Sequence, residues 1–193
     1  MGRRIVDVTL DNLRQAPPDV LSAVYWEMDT DEEPADPSFE KEEWFSEVLL
    51  EWGTCAAMAV EDDLDAVAFV QYAPPSFFPR LERFRCGRVS PDAVYLSYCF
   101  VVARRRGFGL GTQLVRSVAR ALIDRDVRAV EAIGDRGAAD GWVLPASFLA
   151  ANGFRVLRED RRFPLMRLDV RAAVVPREAV DAAAVPIPAP GAA

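Results

Sequence analysis

The stretch Arg106-Gly107-Phe108-Gly109-Leu110-Gly111-Thr112 joins a charge-free apolar run to an amphipathic one, and it limits the possible folds more than any other feature of the chain. Upstream, Val94-Tyr95-Leu96-Ser97-Tyr98-Cys99-Phe100-Val101-Val102 is rich in β-branched and aromatic residues, as a strand buried on both faces requires. Downstream, Leu114, Val115, Val118, Ala119, Leu122 and Ile123 recur at helical spacing, with Arg116, Arg120 and Asp124 between them. Val127 to Ile133 reads as another strand, so the helix crosses over to a parallel or near-parallel neighbour and the chain is of the α/β class. Glycines at alternate positions let the backbone turn tightly and approach a ligand, and unpaired N–H groups at the helix start attract negative charge. The turn has the form of an anion cradle, wide enough for a pyrophosphate.

Two common phosphate loops do not fit it. A Walker loop needs Lys followed by Ser or Thr after its last glycine, whereas Gly111 is followed by Thr112-Gln113. A dinucleotide fingerprint needs G-x-G-x-x-G and a later strand ending in an acid; here the glycines are Gly107, Gly109 and Gly111, and only Val130-Glu131 supplies an acid. The pattern that does match is R-x-x-G-x-G, from Arg106 to Gly111, which resembles the acetyl-CoA motif of the GNAT acetyltransferase superfamily. A second segment, Pro145-Ala146-Ser147-Phe148-Leu149-Ala150-Ala151-Asn152-Gly153-Phe154, resembles that family's short helix ending in Gly-Phe. Further stretches, Tyr25-Trp26-Glu27, Phe39 to Trp44, Gln71 to Pro75 and Phe163 to Leu168, resemble an actinobacterial group within it.

The resemblance implies a mixed, mostly antiparallel central sheet with helices on both faces and acetyl-CoA as co-substrate. It places the pantetheine against Phe100, Val101 and Val102, and wraps the pyrophosphate with Arg106, Gly107, Phe108, Gly109, Leu110, Gly111 and Thr112. The implied activity is N-acetyl transfer to an amine of a small molecule or peptide; the alternative is a CoA-binding regulatory protein without transferase activity. Departures from the family concern catalysis. Leu149 stands where many members carry a Tyr acid, Trp142 lies near the place of a common Asn, and Tyr95 occupies the position of a histone-type Glu.

Composition narrows the chemistry further. The 193 residues include no histidine, which excludes Ser-His-Asp and Cys-His machinery and His-ligated metal, leaving carboxylates, tyrosines, backbone and water for proton transfer. Cys55, Cys86 and Cys99 form no CxxC pair, so neither a disulfide framework nor a zinc site is indicated and a reduced, cytoplasmic setting follows. A net charge of −7 argues against nucleic acid as a partner and is compatible with a cationic acceptor. No apolar run has the roughly 20 residues needed to cross a bilayer, so no membrane role is expected.

Elsewhere, Ile5 to Thr9 alternates like a strand, Val20 to Met28 reads as helical, and Ser38 to Glu51 reads as a helix capped by Ser38. On these segments Trp26, Glu27 and Trp44 are candidate acceptor contacts, with packing on the sheet as the plainer alternative. Cys55 to Val60 and Ala66 to Tyr72 form a hairpin with an acidic turn, and the proline-rich Ala73 to Pro91 is either a lid-like loop bordering the cleft or inert packing. One acetyltransferase domain is expected over residues 1–175. An Ala/Pro-rich extension over 176–193 begins with a short helix at Pro176 to Ala184 and is compatible with a homodimer contact.

Two residues are candidates for proton transfer. Glu131 is in phase with Val127, Ala129 and Ile133, so an acid shares a face with apolar side chains, where burial raises a carboxyl pKa toward that of a base. The competing reading pairs it with Arg128 or another surface cation. Tyr95, on the strand before the glycine loop, is the second candidate.

Overall fold

The computed structural model describes residues 2–32, 34–61, 65–137 and 141–174. The expected helix at Pro176 to Ala184 and the tip of the acidic hairpin turn lie outside them.

A single sheet runs through the molecule in the order β1 (Arg3–Asp7), β2 (Ala56–Glu61), β3 (Asp65–Ala73), β4 (Ala93–Val101), β5 (Ala129–Asp135), β8 (Leu165–Asp169), β7 (Arg155–Arg158), with β6 (Leu144–Pro145) beside β5. Along the main path every pairing is antiparallel except β4 with β5, whose connection is α3 (Leu110–Ile123), the crossover anticipated from the glycine turn. Leu110, Leu114, Val115, Val118, Ala119 and Leu122 bury one stripe of α3 against one face of the sheet, together with Leu149 of α4 (Ala146–Ala151) and Val170 of α5 (Val170–Val174). Ile123 falls off this stripe and is exposed. The opposite face is covered by α1 (Pro18–Leu21) and α2 (Pro37–Glu51), which contribute Val20, Trp44, Phe45 and Val48 to a second core. The sheet is thus mixed and mostly antiparallel with helices on both faces.

Three local expectations change. Helix α2 is capped by Asp36, whose Oδ1 accepts from the N–H groups of Ser38 and Phe39 (3.1 Å each), with Pro37 in the first turn. The segment from Val20 to Met28 is helical only to Leu21. Beyond it three successive side chains are anchored separately: Tyr25 lies under the Arg80 guanidinium (4.3 Å), Trp26 enters an aromatic cluster with Phe84 and Tyr95 (5.2 and 5.1 Å), and Glu27 joins a buried polar network. These contacts override local helix preference. The lid-like loop is docked rather than free: Trp44 Nε1 donates to the Phe77 carbonyl (2.8 Å), and Arg80 Nε donates to the Met28 carbonyl (3.1 Å). No helix among the described residues is long and apolar enough to cross a membrane.

Candidate functional site

The parallel pairing of β4 and β5 lasts for three positions, Ala93 with Ala129, Val94 with Val130 and Tyr95 with Glu131, although β4 continues to Val101 and β5 to Asp135. Past Tyr95 the two strands splay, and the far end of β5 pairs instead with β6. A cavity of about 510 Å³ occupies this opening, walled by Tyr98 to Val101, by the glycine turn, and by Trp142, Leu144 and Phe148. Next to the splay, β4 carries one extra residue. Gln71 stands opposite Tyr98 and Tyr72 opposite Leu96, so Ser97 is a bulge. A bulge re-aims the side chains around it, and Tyr98 consequently packs on the α2 side with Tyr95 and Phe100, while Cys99 and Val101 face α3.

At the turn, Gly107 and Gly109 have φ of +82° and +76°, and a Cβ added at either would have nothing within 4 Å. Both positions need glycine for backbone reasons and both open onto free space. Gly109 is the N-cap of α3 and no side chain caps it. The Gln113 N–H makes the first helical bond, to the Gly109 carbonyl (3.0 Å), so the N–H groups from Gly109 to Thr112 lack intrahelical acceptors and point their partial charge outward. Gly111 serves differently: a Cβ there would come within 2.8 Å of the Phe148 ring, so its role is to let α4 close on α3.

Of the residues assigned to the donor, Phe100, Val101, Arg106, Gly107, Gly109, Leu110, Gly111 and Thr112 line the cavity, whereas Val102 and Phe108 do not. The Val102 N–H is engaged by the Val67 carbonyl (3.0 Å), and the Phe108 side chain is largely exposed. Arg106 Nε donates to the Val101 carbonyl (2.9 Å), holding the turn onto the end of β4, and Arg105 Nε donates to Glu61 (2.8 Å).

Tyr95 and Glu131 sit side by side at the vertex of the splay, and neither lines the cavity. Tyr95 is fully buried among Trp26 and Phe78, and that burial holds its phenol well above the ordinary value. Both Glu131 oxygens are occupied: Oε1 accepts from Arg167 (2.7 Å) and Oε2 from the Ser90 N–H (2.9 Å). The cation is Arg167, which also makes a two-pronged contact with Asp92 (3.0 and 2.8 Å), and not Arg128. Alternation of side chains correctly placed Glu131 in the interior; the partner, 36 residues away, was invisible to it.

Two features escaped the sequence. Tyr98 lines the cavity, and burial, reinforced by negative charges including Asp19 and Glu27, pushes its phenol up to about 12. It therefore keeps its proton at neutral pH. Behind it lies a polar network in an otherwise apolar core, in which Lys41 Nζ donates to Glu27 Oε1 and to Gln71 Oε1 (3.1 Å), and Gln71 Nε2 donates to Glu27 Oε1 (2.5 Å) and to the bulged Ser97 Oγ (3.1 Å). Its components lie on α2, β3, β4 and the turn after α1, and only Glu27 among them stood as a candidate acceptor contact in the sequence.

The Acetyltransferase (GNAT) family model matches residues 20–140, a span that holds the splay, the bulge and the glycine turn. The chain belongs to the GNAT acetyltransferase family. Solved structures show the same fold. A GNAT-family acetyltransferase from Staphylococcus aureus Mu50 superposes with a TM-score of 0.59 at 13% identity, covering 88% of this chain and 99% of that one. The PaiA N-acetyltransferase of Thermoplasma acidophilum in complex with coenzyme A gives a TM-score of 0.53 at 12% identity, over 88% and 99% of the two chains. A ribosomal-protein-alanine N-acetyltransferase from Brucella melitensis gives 0.54 at 18% identity, over 86% and 98%. A search of the curated proteins returns no match. Leu149, which the resemblance sets at the place of the family's Tyr acid, is fully buried in the core that also holds the apolar stripe of α3.

Proposed function

We propose that the chain is an acetyl-CoA-dependent N-acetyltransferase, formed by a single domain over residues 1–175 with 176–193 as an extension, and that its acceptor is a small-molecule or peptide amine. The observation that carries this reading is the convergence, in one cavity, of the open edge of β4, the uncapped start of α3 and two glycines whose missing side chains leave room for a ligand. Acetyl-CoA fits what these residues provide. The N–H groups of Gly109 to Thr112 hold the pyrophosphate, and the β4 edge at Phe100 and Val101 lies along the pantetheine. When bound, acetyl-CoA supplies an activated acetyl thioester at the mouth of the splay.

The residues of the chain then have two tasks. Backbone at the bulge orients the carbonyl for attack, and a neutral acceptor nitrogen forms the C–N bond as the C–S bond breaks. Tyr98 gives its proton to the departing sulfur and recovers one, through water, from the nitrogen that has just been acylated. Glu131 and Tyr95 brace the vertex of the splay, a positioning role that leaves the acid to Tyr98.

Two measurements test the reading. Acetyl-CoA should raise the melting temperature of the purified chain, and thiol release should appear with at least one member of a broad amine panel. Tyr98→Phe should then lower kcat by roughly 10²–10⁴-fold while the stabilisation by acetyl-CoA persists. An unchanged kcat removes Tyr98 from the chemistry. Binding with no thiol release from any amine would make the chain a CoA-binding regulatory protein.

A further inference from the structure

We propose that Ser97 and Gln71 are positioning residues for the transfer: a hydrogen-bonded clasp between them, given its direction by Lys41, fixes the bulge in β4 and with it the face on which Tyr98 meets the donor. This rests on the transferase reading above. The bulge makes two successive side chains, Ser97 and Tyr98, look toward α2, between Leu96 and Cys99 on the α3 side. Regular alternation forbids such a pair. At the same level β3 stays in even step with β2, Ala56 opposite Gln71 and Ala57 opposite Val70, so the irregularity belongs to β4. Straightening β4 by one residue would turn Tyr98 toward α3 and Cys99 toward α2, because a one-residue slip reverses the face of every side chain beyond it.

Hydrogen bonds hold the extra residue where it is. Lys41 Nζ carries donors only, so Gln71 turns its Oε1 to it (3.1 Å) and its Nε2 toward Glu27 and Ser97 (2.5 and 3.1 Å). Ser97 Oγ, accepting from that amide, donates its own hydrogen to the Gln71 main-chain carbonyl (3.3 Å). Gln71 thus grips Ser97 with both its side chain and its backbone. Neither neighbour can be gripped in this way: the Leu96 side chain has no polar atom, and Tyr98 bears its hydroxyl a ring's length from the strand. Lys41, Gln71 and Ser97 are all buried. A slip that carried Ser97 away would leave a Gln71 N–H unpaired in an otherwise apolar core, which is costly.

The clasp sits where the strand changes its task. Tyr95 is the last residue of β4 paired with β5, and Tyr98 to Val101 form the edge that walls the cavity; Ser97 lies between the two. Through Gln71 and Lys41 that edge is tied to α2. None of the three residues lines the cavity, so they act through Tyr98 and the strand edge.

The test compares the full-length parent with Ser97→Ala, Ser97→Thr, Gln71→Met and the Ser97→Ala/Gln71→Met double variant. Hydrogen exchange, which needs no acceptor, should show the amides of Tyr98 to Val101 opening about tenfold or more faster in Ser97→Ala and in Gln71→Met, with β1 and β2 unchanged and the acetyl-CoA thermal shift retained. With an amine from the panel, each of these variants should lose about tenfold or more in kcat while KM for acetyl-CoA stays within about twofold of the parent. The double variant should lose no more than either single one, since a clasp opened from one side is already open. Ser97→Thr, which keeps the hydroxyl, should stay near the parent by both measures. Unchanged exchange or unchanged kcat in Ser97→Ala would overturn the assignment. So would additive losses, or a Ser97→Thr variant as impaired as Ser97→Ala, which would make side-chain volume decisive instead of the hydrogen bond. A parent that releases no thiol with any amine would refute the transferase reading, while the exchange rates still show whether the clasp fixes the bulge.

Discussion

Lys41→Met isolates the energetics of the buried network. The Lys41 side chain has no exposure and its partner Glu27 only 3%, so neither charge is repaid by water. Methionine keeps the length and apolar stem of lysine but removes the charge, leaving a buried carboxylate whose remaining donor is Gln71. Breaking a buried pair from one side costs about 3–5 kcal/mol, because the other charge stays desolvated. At about 2–4 °C per kcal/mol for a chain of this size, the melting temperature should fall by roughly 6–20 °C. Glu27→Gln in the same background removes the orphaned charge and keeps the hydrogen-bonding shape. The double variant should therefore recover much of the loss, with a coupling of roughly 2 kcal/mol or more in a double-mutant cycle. Urea unfolding of the parent, the two single variants and the double variant supplies the four values. If Lys41→Met costs under about 1 kcal/mol, or the two losses simply add, the pair behaves as a solvated surface contact and the burial argument fails.

Three further results are expected. Gly109→Ala forces a side chain into the left-handed region, so it should cost roughly 1–2 kcal/mol and weaken acetyl-CoA stabilisation through loop geometry, no neighbour being within reach of the new Cβ; an unchanged shift would detach the turn from donor binding. Gly111→Ala should weaken donor binding by displacing the Phe148 ring 2.8 Å away, and Phe148→Leu in the same chain should restore it, read by the same thermal shift. Asp92 is held below its ordinary value by the Arg167 hydrogen bond, so its contribution is present above the unfolded carboxyl value near about pH 4 and is lost as pH falls below it; Asp92→Asn should lower the melting temperature at pH 7 and flatten its decline in acid, and an identical acid limb would exclude the pair.

What could be read along the chain was what local pattern controls. The strand, glycine turn and helix from Val94 to Ile123 are specified by residues within one another's reach, as are the hairpin of β2 and β3 and the Gly-Phe end of α4, and together they determined the class of fold and the place of the glycine turn. Even the interior position of Glu131 followed from period-two alternation. Tertiary structure decided what depends on partners distant in sequence. A bulge exists only relative to the strand opposite, so the rotation of Tyr98 toward α2 required the register of β3 against β4. Whether a buried acid is a free base or a brace depends on the donors around it. Glu131 met Arg167 and the Ser90 N–H, whereas Glu27 met Lys41 and Gln71, 14 and 44 residues away, and kept one buried oxygen without a hydrogen-bond partner. The chemical roles of two similar carboxylates were separated by folding, because desolvation and hydrogen bonding act through space and not along the chain.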